Sequence, residues 1–193
     1  MGTSTLGRFG RCALFVSGIV VFGISGIIVF GAAANAAHPA MAVSSTDFRP
    51  DAEIPASQIY PRCGGANISP QLTWSGAPTS TQSFVLTMID VSVKPSYWSH
   101  WIVTDLPPDT RSIARGSKDL PAGAQVVPNS FGDARYDGPC PPEKSGKHEY
   151  QVTIWAMPAP SSAISPQMKP ADLRSLLEKN SLAHATLTGF VAR

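Results

Sequence analysis

The sequence predicts a mainly β domain, an antiparallel sandwich or Greek-key arrangement with one late helix. Three observations carry this. Strand signals follow one another along the chain without the helical segments that an α/β alternation needs. Ser83–Asp90 is almost wholly apolar, as a buried strand is. His148–Ala156 alternates, with His148, Tyr150, Val152 and Ile154 on one face and Gln151, Thr153 and Trp155 on the other.

The 193 residues suffice for one domain behind an N-terminal extra. Residues 1–36 read as a secretory signal peptide. Arg8 and Arg11 lead, Cys12 to Ala34 carries no charge, and Ala34–Asn35–Ala36 supplies small residues at the cleavage point. The alternative is a retained membrane segment over residues 12–34, because an uncharged run of that length can span a bilayer. Either reading puts the rest of the chain outside the cytoplasm, periplasmic or secreted, and confines membrane contact to the N-terminal segment. Residues 37–45 read as a linker and 46–193 as the domain.

Thr46–Pro70 is rich in Pro, Gly, Ala and Asn and predicts turns with one short strand around Phe48. Gln71–Trp74 predicts a strand stopped by Ser75–Gly76. His100–Asp105 predicts another, ended by Leu106–Pro107–Pro108–Asp109. Residues 107–147 are punctuated by glycine and proline and read as a long loop region of the kind that carries function. Ala171–Lys179 predicts the helix, opened by Pro170 and bearing Leu173, Leu176 and Leu177 at helical spacing. Thr186–Val191 reads as the last strand. Trp74, Trp101 and Trp155 are expected in the core, and His38 and His184 attract no functional reading.

Charge and cysteines narrow the function classes. Arg8 and Arg11 are the only charged residues before Ala37, so loss of residues 1–36 takes the formal charge from +2 to neutral. No Lys/Arg run follows, which argues against nucleic acid as a partner. Cys63 and Cys140 remain as an even pair in an oxidising compartment and predict a disulfide, with two buried thiols as the alternative. Their spacing gives no metal motif, and no metal or cofactor is expected.

The most informative stretch is Gly138–Pro139–Cys140–Pro141–Pro142, followed by Gly146–Lys147–His148–Glu149–Tyr150. Prolines fix the backbone, so the first part is a rigid wall, and a histidine opens the strand behind it. Asp90 to Trp101 adds a carboxylate, Trp98 and His100. These groups suit a preformed pocket for a small anion. Two imidazoles can donate hydrogen bonds, backbone N–H groups near Gly138 can add donors, and Asp90 can hold a histidine's ring N–H. The bland alternatives are hydrogen-bonded strand histidines and, for Tyr150, ordinary core packing.

The order Asn67–Ile68–Ser69–Pro70–Gln71–Leu72–Thr73–Trp74, Ser83–Asp90, Trp98–Ser99–His100–Trp101, Gly138–Pro142 and His148–Glu149–Tyr150 resembles the phosphatidylethanolamine-binding protein family, in its bacterial Raf-kinase-inhibitor-like branch. The resemblance spans about Thr46 to Arg193. It implies a β-sandwich of two antiparallel sheets with short peripheral helices and a pocket for phosphate-like anions. It implies that Asp90, Trp98, His100, Gly138, Pro139, His148 and Tyr150 line that pocket. Cysteines at positions 63 and 140 recur in exported bacterial members, so it implies the disulfide as well.

The sequence departs from the family pattern at three places. The usual Asp-Pro-Asp-x-Pro is here Asp90–Val91–Ser92–Val93–Lys94–Pro95, and the usual His-Arg is His148–Glu149. An acid is lost at one motif and a base at the other, which implies that positions 92 and 149 are neighbours. The usual Asn-Asp before Phe/Tyr-Gly is Asn129–Ser130–Phe131–Gly132.

The expected function is an exported, non-enzymatic binding protein whose partner is a small anion such as phosphate or a phospho-headgroup. A protein-interaction or inhibitor module is the alternative. A hydrolase has less support, because no Gly-x-Ser-x-Gly elbow, P-loop, metal-ligand helix or paired-carboxylate motif is present.

Overall fold

The computed structural model describes residues 40–161 and 164–193. The segment read as signal peptide or membrane anchor lies outside the described residues, as does His38. Among the described residues no helix is long and apolar enough to cross a membrane.

The strands are β1 (Ala42–Ser44), β2 (Ala52–Glu53), β3 (Leu72–Ser75), β4 (Ser83–Asp90), β5 (Trp98–Leu106), β6 (Ser112–Ile113), β7 (Gln125–Val126), β8 (Lys147–Met157) and β9 (Ala183–Ala192). Among the described residues one α-helix, α1, spans Pro170–Asn180, with short 3-10 turns at Ala56–Gln58 and Pro61–Cys63. The strands form a three-stranded sheet, β1-β3-β6, and a six-stranded sheet, β2-β9-β8-β4-β5-β7. The mainly β expectation holds. Residues 107–146 lend β6 to the small sheet and β7 to the far edge of the large one. The chain then returns as β8 beside β4.

Packing explains the sequence pattern. Leu72, Trp74 and Ile113 of the small sheet meet Phe84, Leu86, Met88, Val103, Val152, Ile154 and Leu187 of the large sheet in one core. On the opposite face of the large sheet, Val85, Ile102, Trp155 and Met157 pack under Leu173 and Leu177 of α1. β4 therefore has no wet face, and all eight of its residues are buried. Pro170 starts α1, with Asp172 in the first turn and Lys179 in the last, both matched to the helix dipole.

Three expectations are corrected. The end of the linker, Ala42–Ser44, is strand β1, with Val43 opposite Trp74, and it covers an edge that β3 would otherwise leave unpaired. Phe48 is buried in the core but lies in no strand. Beside it Asp47 takes the Gln71 backbone N–H with its carboxylate, at 2.7 Å, in place of a backbone ladder. The sheets are also not wholly antiparallel, since β2 runs parallel to β9. β2 arrives from the small sheet and not through a hairpin with β9, so no tight turn imposes the antiparallel sense.

Candidate functional site

Asp90, His148 and Tyr150 come together because of strand register. Asp90 closes β4 and lies opposite Tyr150 of β8 and Trp98 of β5. Alternation puts Asp90 on the face of Phe84, Leu86 and Met88, and puts His148 and Tyr150 on the face of Val152 and Ile154. The polar cluster is thus the end of the inter-sheet core. His100 joins it by an irregularity. Met88 pairs with Trp101 and Ile89 with Ser99, so His100 is an extra residue in a β-bulge. The bulge turns His100 toward Tyr150, ring centroids 5.2 Å apart.

The geometry fixes the tautomers. His148 donates from Nδ1 to Asp90 Oδ2 at 2.7 Å, since a carboxylate only accepts. Asp90 Oδ1 accepts the Ser92 N–H at 2.8 Å. His100 donates from Nδ1 to the Asp137 carbonyl at 2.8 Å. Each ring therefore spends Nδ1 on the protein, and only Nε2 remains for a ligand. A neutral ring accepts at Nε2 and donates there only when protonated. The Tyr150 hydroxyl is buried near Asp90, with no hydrogen bond of good geometry among the described residues. Burial, and then the Asp90 charge, push its ionisation well above the ordinary tyrosine range, so it remains a donor.

Burial lowers the pKa of His100, opposed by its bond to the Asp137 carbonyl and by the Asp90 charge. The unfolded chain still takes a proton near the ordinary value of 6.5. Above that value both states are neutral and no stability is lost. As pH falls below it the unfolded state binds more protons and stability declines, levelling off once the folded ring protonates. The decline is at most about 1.4 kcal/mol per pH unit within that window. Denaturant melts stepped downward from neutral pH should show it, and His100→Gln should flatten it. Parallel profiles for the two proteins would refute the assignment.

The rim is built by the wall and its partners. Cys63 and Cys140 form a disulfide, with Cα atoms 5.6 Å apart. Tyr60 N–H donates to the Pro139 carbonyl at 3.0 Å. The Gly138 N–H is held by Asn67 Oδ1 at 2.7 Å, so it is not itself a donor for an anion. Pro141 and Pro142 line a cleft of about 320 Å³ that also takes in Tyr60, Arg62, Phe131 and Arg193, with neither histidine in its lining.

The sequence reading missed Phe131 and Tyr60. The Phe131 ring stacks on Tyr60 at 5.5 Å and meets Trp98 and His100 edge-on at 5.5 and 5.6 Å. Phe131 and Trp98 are exposed while His100 and His148 are buried, so Phe131 stands between His100 and the cleft. Asn129 sets it there. Its Oδ1 accepts the Phe131 N–H at 2.8 Å, and its Nδ2 donates to Asp137 Oδ2 at 2.9 Å and to the His100 carbonyl. The buried Asp137 carboxylate is also held by Arg135 Nε at 2.9 Å. The motif Asn129–Ser130–Phe131–Gly132 is a signal for this part of the site; Tyr60 has none.

Positions 92 and 149 are neighbours, as the paired departures imply. Ser92 Oγ accepts the Glu149 N–H at 2.9 Å and Val91 N–H donates to the Glu149 carbonyl. Trp74, Trp101 and Trp155 are buried, and His184 is exposed against Trp155. Among the described residues no cluster of His, Cys, Asp and Glu could hold a metal ion.

Comparison with known proteins follows the same lines. A family model described as phosphatidylethanolamine-binding protein matches residues 44–192. A UPF0098 protein of Aquifex aeolicus is 34% identical, over 79% of this chain and 89% of its own. A protein of Mycobacterium tuberculosis described as a lipoprotein, LppC, is 39% identical over 65% of this chain and 59% of its own. The crystal structure of Escherichia coli YbcL, described as a member of the mammalian PEBP family, superposes with a TM-score of 0.71 at 30% identity, covering 78% of this chain and 96% of that one.

Proposed function

Since this chain belongs to the phosphatidylethanolamine-binding protein family, we propose that it is an exported, non-enzymatic protein that binds a small anion at the Asp90–His148–His100 cluster. The ligand class is phosphate or a phospho-headgroup. The observation that carries the reading is the buried Asp90–His148 pair. Asp90 sets the tautomer and supplies a counter-charge for the imidazolium, leaving Nε2–H as the donor to an anion. Tyr150 adds a second donor, because its buried hydroxyl keeps its proton and makes no well-formed bond within the protein.

Absence of catalysis is supported by the bonding of nearby hydroxyls. No described serine or threonine hydroxyl hydrogen-bonds either histidine. Ser99 pairs with Ser130, and Ser92 takes the Glu149 amide. An Asp–His pair without an aligned nucleophile is not a triad. Export is supported by the N-terminal pattern, by the disulfide and by the lipoprotein description of the Mycobacterium relative.

Inorganic phosphate titrated into the protein should shift the imidazole NMR signals of His148 and His100. Binding should strengthen as pH falls through the range in which His100 protonates, because its Nε2 donates only then. His148→Ala should weaken it by about 10- to 100-fold, the worth of one charge-assisted hydrogen bond. If neither ring responds, the anion reading fails. The exposed Trp98 and Phe131 favour a second reading, docking to a protein partner, since such aromatics anchor interfaces. Pull-down from the exported fraction with Phe131→Ala as the comparison tests it, and equal capture by both proteins counts against it.

A further inference from the structure

A second cavity, of about 310 Å³, opens away from the cluster. Ser69, Trp101, Lys118, Leu120, Arg135 and Tyr136 are among its walls, and neither Asp90, His100 nor His148 is. We propose that it binds a small organic anion, a monocarboxylate with an aromatic or branched aliphatic body.

The argument starts from what the lining lacks. It contains two cations and no carboxylate. Lys118 has no ion-pair partner among the described residues. Arg135 is held in place from behind, its Nε on Asp137 at 2.9 Å and its Nη2 on Asp133 at 2.7 Å, which leaves Nη1 for another acceptor. A guanidinium fixed in this way loses little freedom on meeting a carboxylate. The two acids that hold Arg135 offset part of its charge, so Lys118 supplies the uncompensated positive charge.

A hydroxyl on the cavity wall is the second observation. Ser69 is 4% exposed and lines the cavity. Its hydroxyl can donate to a ligand oxygen, whereas the neighbouring Asn67 amide is fully engaged with Tyr136, Asp137 and Gly138.

The opposite wall favours an organic anion over a bare inorganic one. Trp101 and Tyr136 meet edge-on at 5.5 Å, and Leu120 and Val126 extend the apolar surface. Free phosphate would satisfy the donors but make no use of the apolar edge that Leu120 and Val126 add. An aryl or branched alkyl body fills it, and the volume lies at the small end of the range for ligand pockets. The cavity is therefore different in chemistry from the histidine cluster and independent of the reading given for it.

Phenylacetate is a suitable probe, with phenylacetamide as the uncharged isostere and inorganic phosphate as the apolar-free anion. NMR should show saturable shifts at the Trp101 indole N–H and the Lys118 amide with phenylacetate. The other two probes should bind about tenfold more weakly or less, and Lys118→Met should weaken phenylacetate by a similar factor. Ala134→Trp, at an exposed position of the cavity mouth, should block binding without lowering thermal stability, and His148→Ala should leave it unchanged. No saturable shift in the millimolar range, or an equal response to phenylacetamide, overturns the proposal. Binding that survives Ala134→Trp and disappears in His148→Ala overturns it too, by placing the probe at the histidine cluster.

Discussion

Reduction of the Cys63–Cys140 disulfide is expected to lower the stability of the domain by about 4 kcal/mol, from the entropy returned to an unfolded chain no longer closed over a 77-residue separation. The double variant Cys63→Ala/Cys140→Ala should behave alike. Denaturant unfolding with and without reductant measures the effect, and the m-value should rise as the unfolded state expands. The bridge also joins the turn that carries Tyr60 to the proline wall, so reduction should loosen the Tyr60–Phe131 stack and broaden the ring signals of Phe131. A stability change below about 1 kcal/mol would mean that the hydrogen bonds of the rim already hold these segments together.

The β8 alternation and the β4 apolar run are legible because each strand reports its own environment. Period 2 on β8 follows from one face meeting the small sheet and the other meeting α1 or neighbouring strands. Near-continuous hydrophobicity on β4 follows from burial on both faces. Asp90 and His148 can be read as partners only through motif order, since register between distant strands leaves no local mark. His100 shows the limit more sharply. Its place in the cluster depends on the bulge opposite Met88 and Ile89, and nothing in Trp98–Ser99–His100–Trp101 announces an extra residue. Tyr60 is similar, a lone aromatic in a turn that becomes part of the site only because the disulfide and the Pro139 carbonyl bring it there. Asp137 reads along the chain as one acid in a long loop. Its importance comes from three side chains, Arg135, Asn129 and Asn67, that meet its carboxylate in the fold.

Gly138→Ala is expected to destabilise the domain by about 3 kcal/mol or more, the upper range for steric insertion into a packed site. A Cβ at position 138 would lie 1.9 Å from the Gln58 carbonyl oxygen and 2.8 Å from the Tyr60 nitrogen, both backbone atoms. Neither can move cheaply. The Gln58 oxygen accepts the Tyr136 hydroxyl at 2.8 Å, and the Tyr60 N–H donates to Pro139 at 3.0 Å. Residue 138 itself is pinned through its N–H to Asn67. The strain should pass to Asp137, whose carbonyl fixes His100, so the variant should also lose the His100-dependent part of the pH profile. Gly132→Ala separates space from conformation. Gly132 has φ of +89° and nothing within 4 Å of an added methyl, so its cost is backbone strain alone, about 1 kcal/mol. Gly138 has no positive φ, and its cost is the collision alone. Chemical denaturation of both variants decides between them, and equal losses would show that close approach to the Gln58–Tyr60 backbone is not why position 138 is glycine.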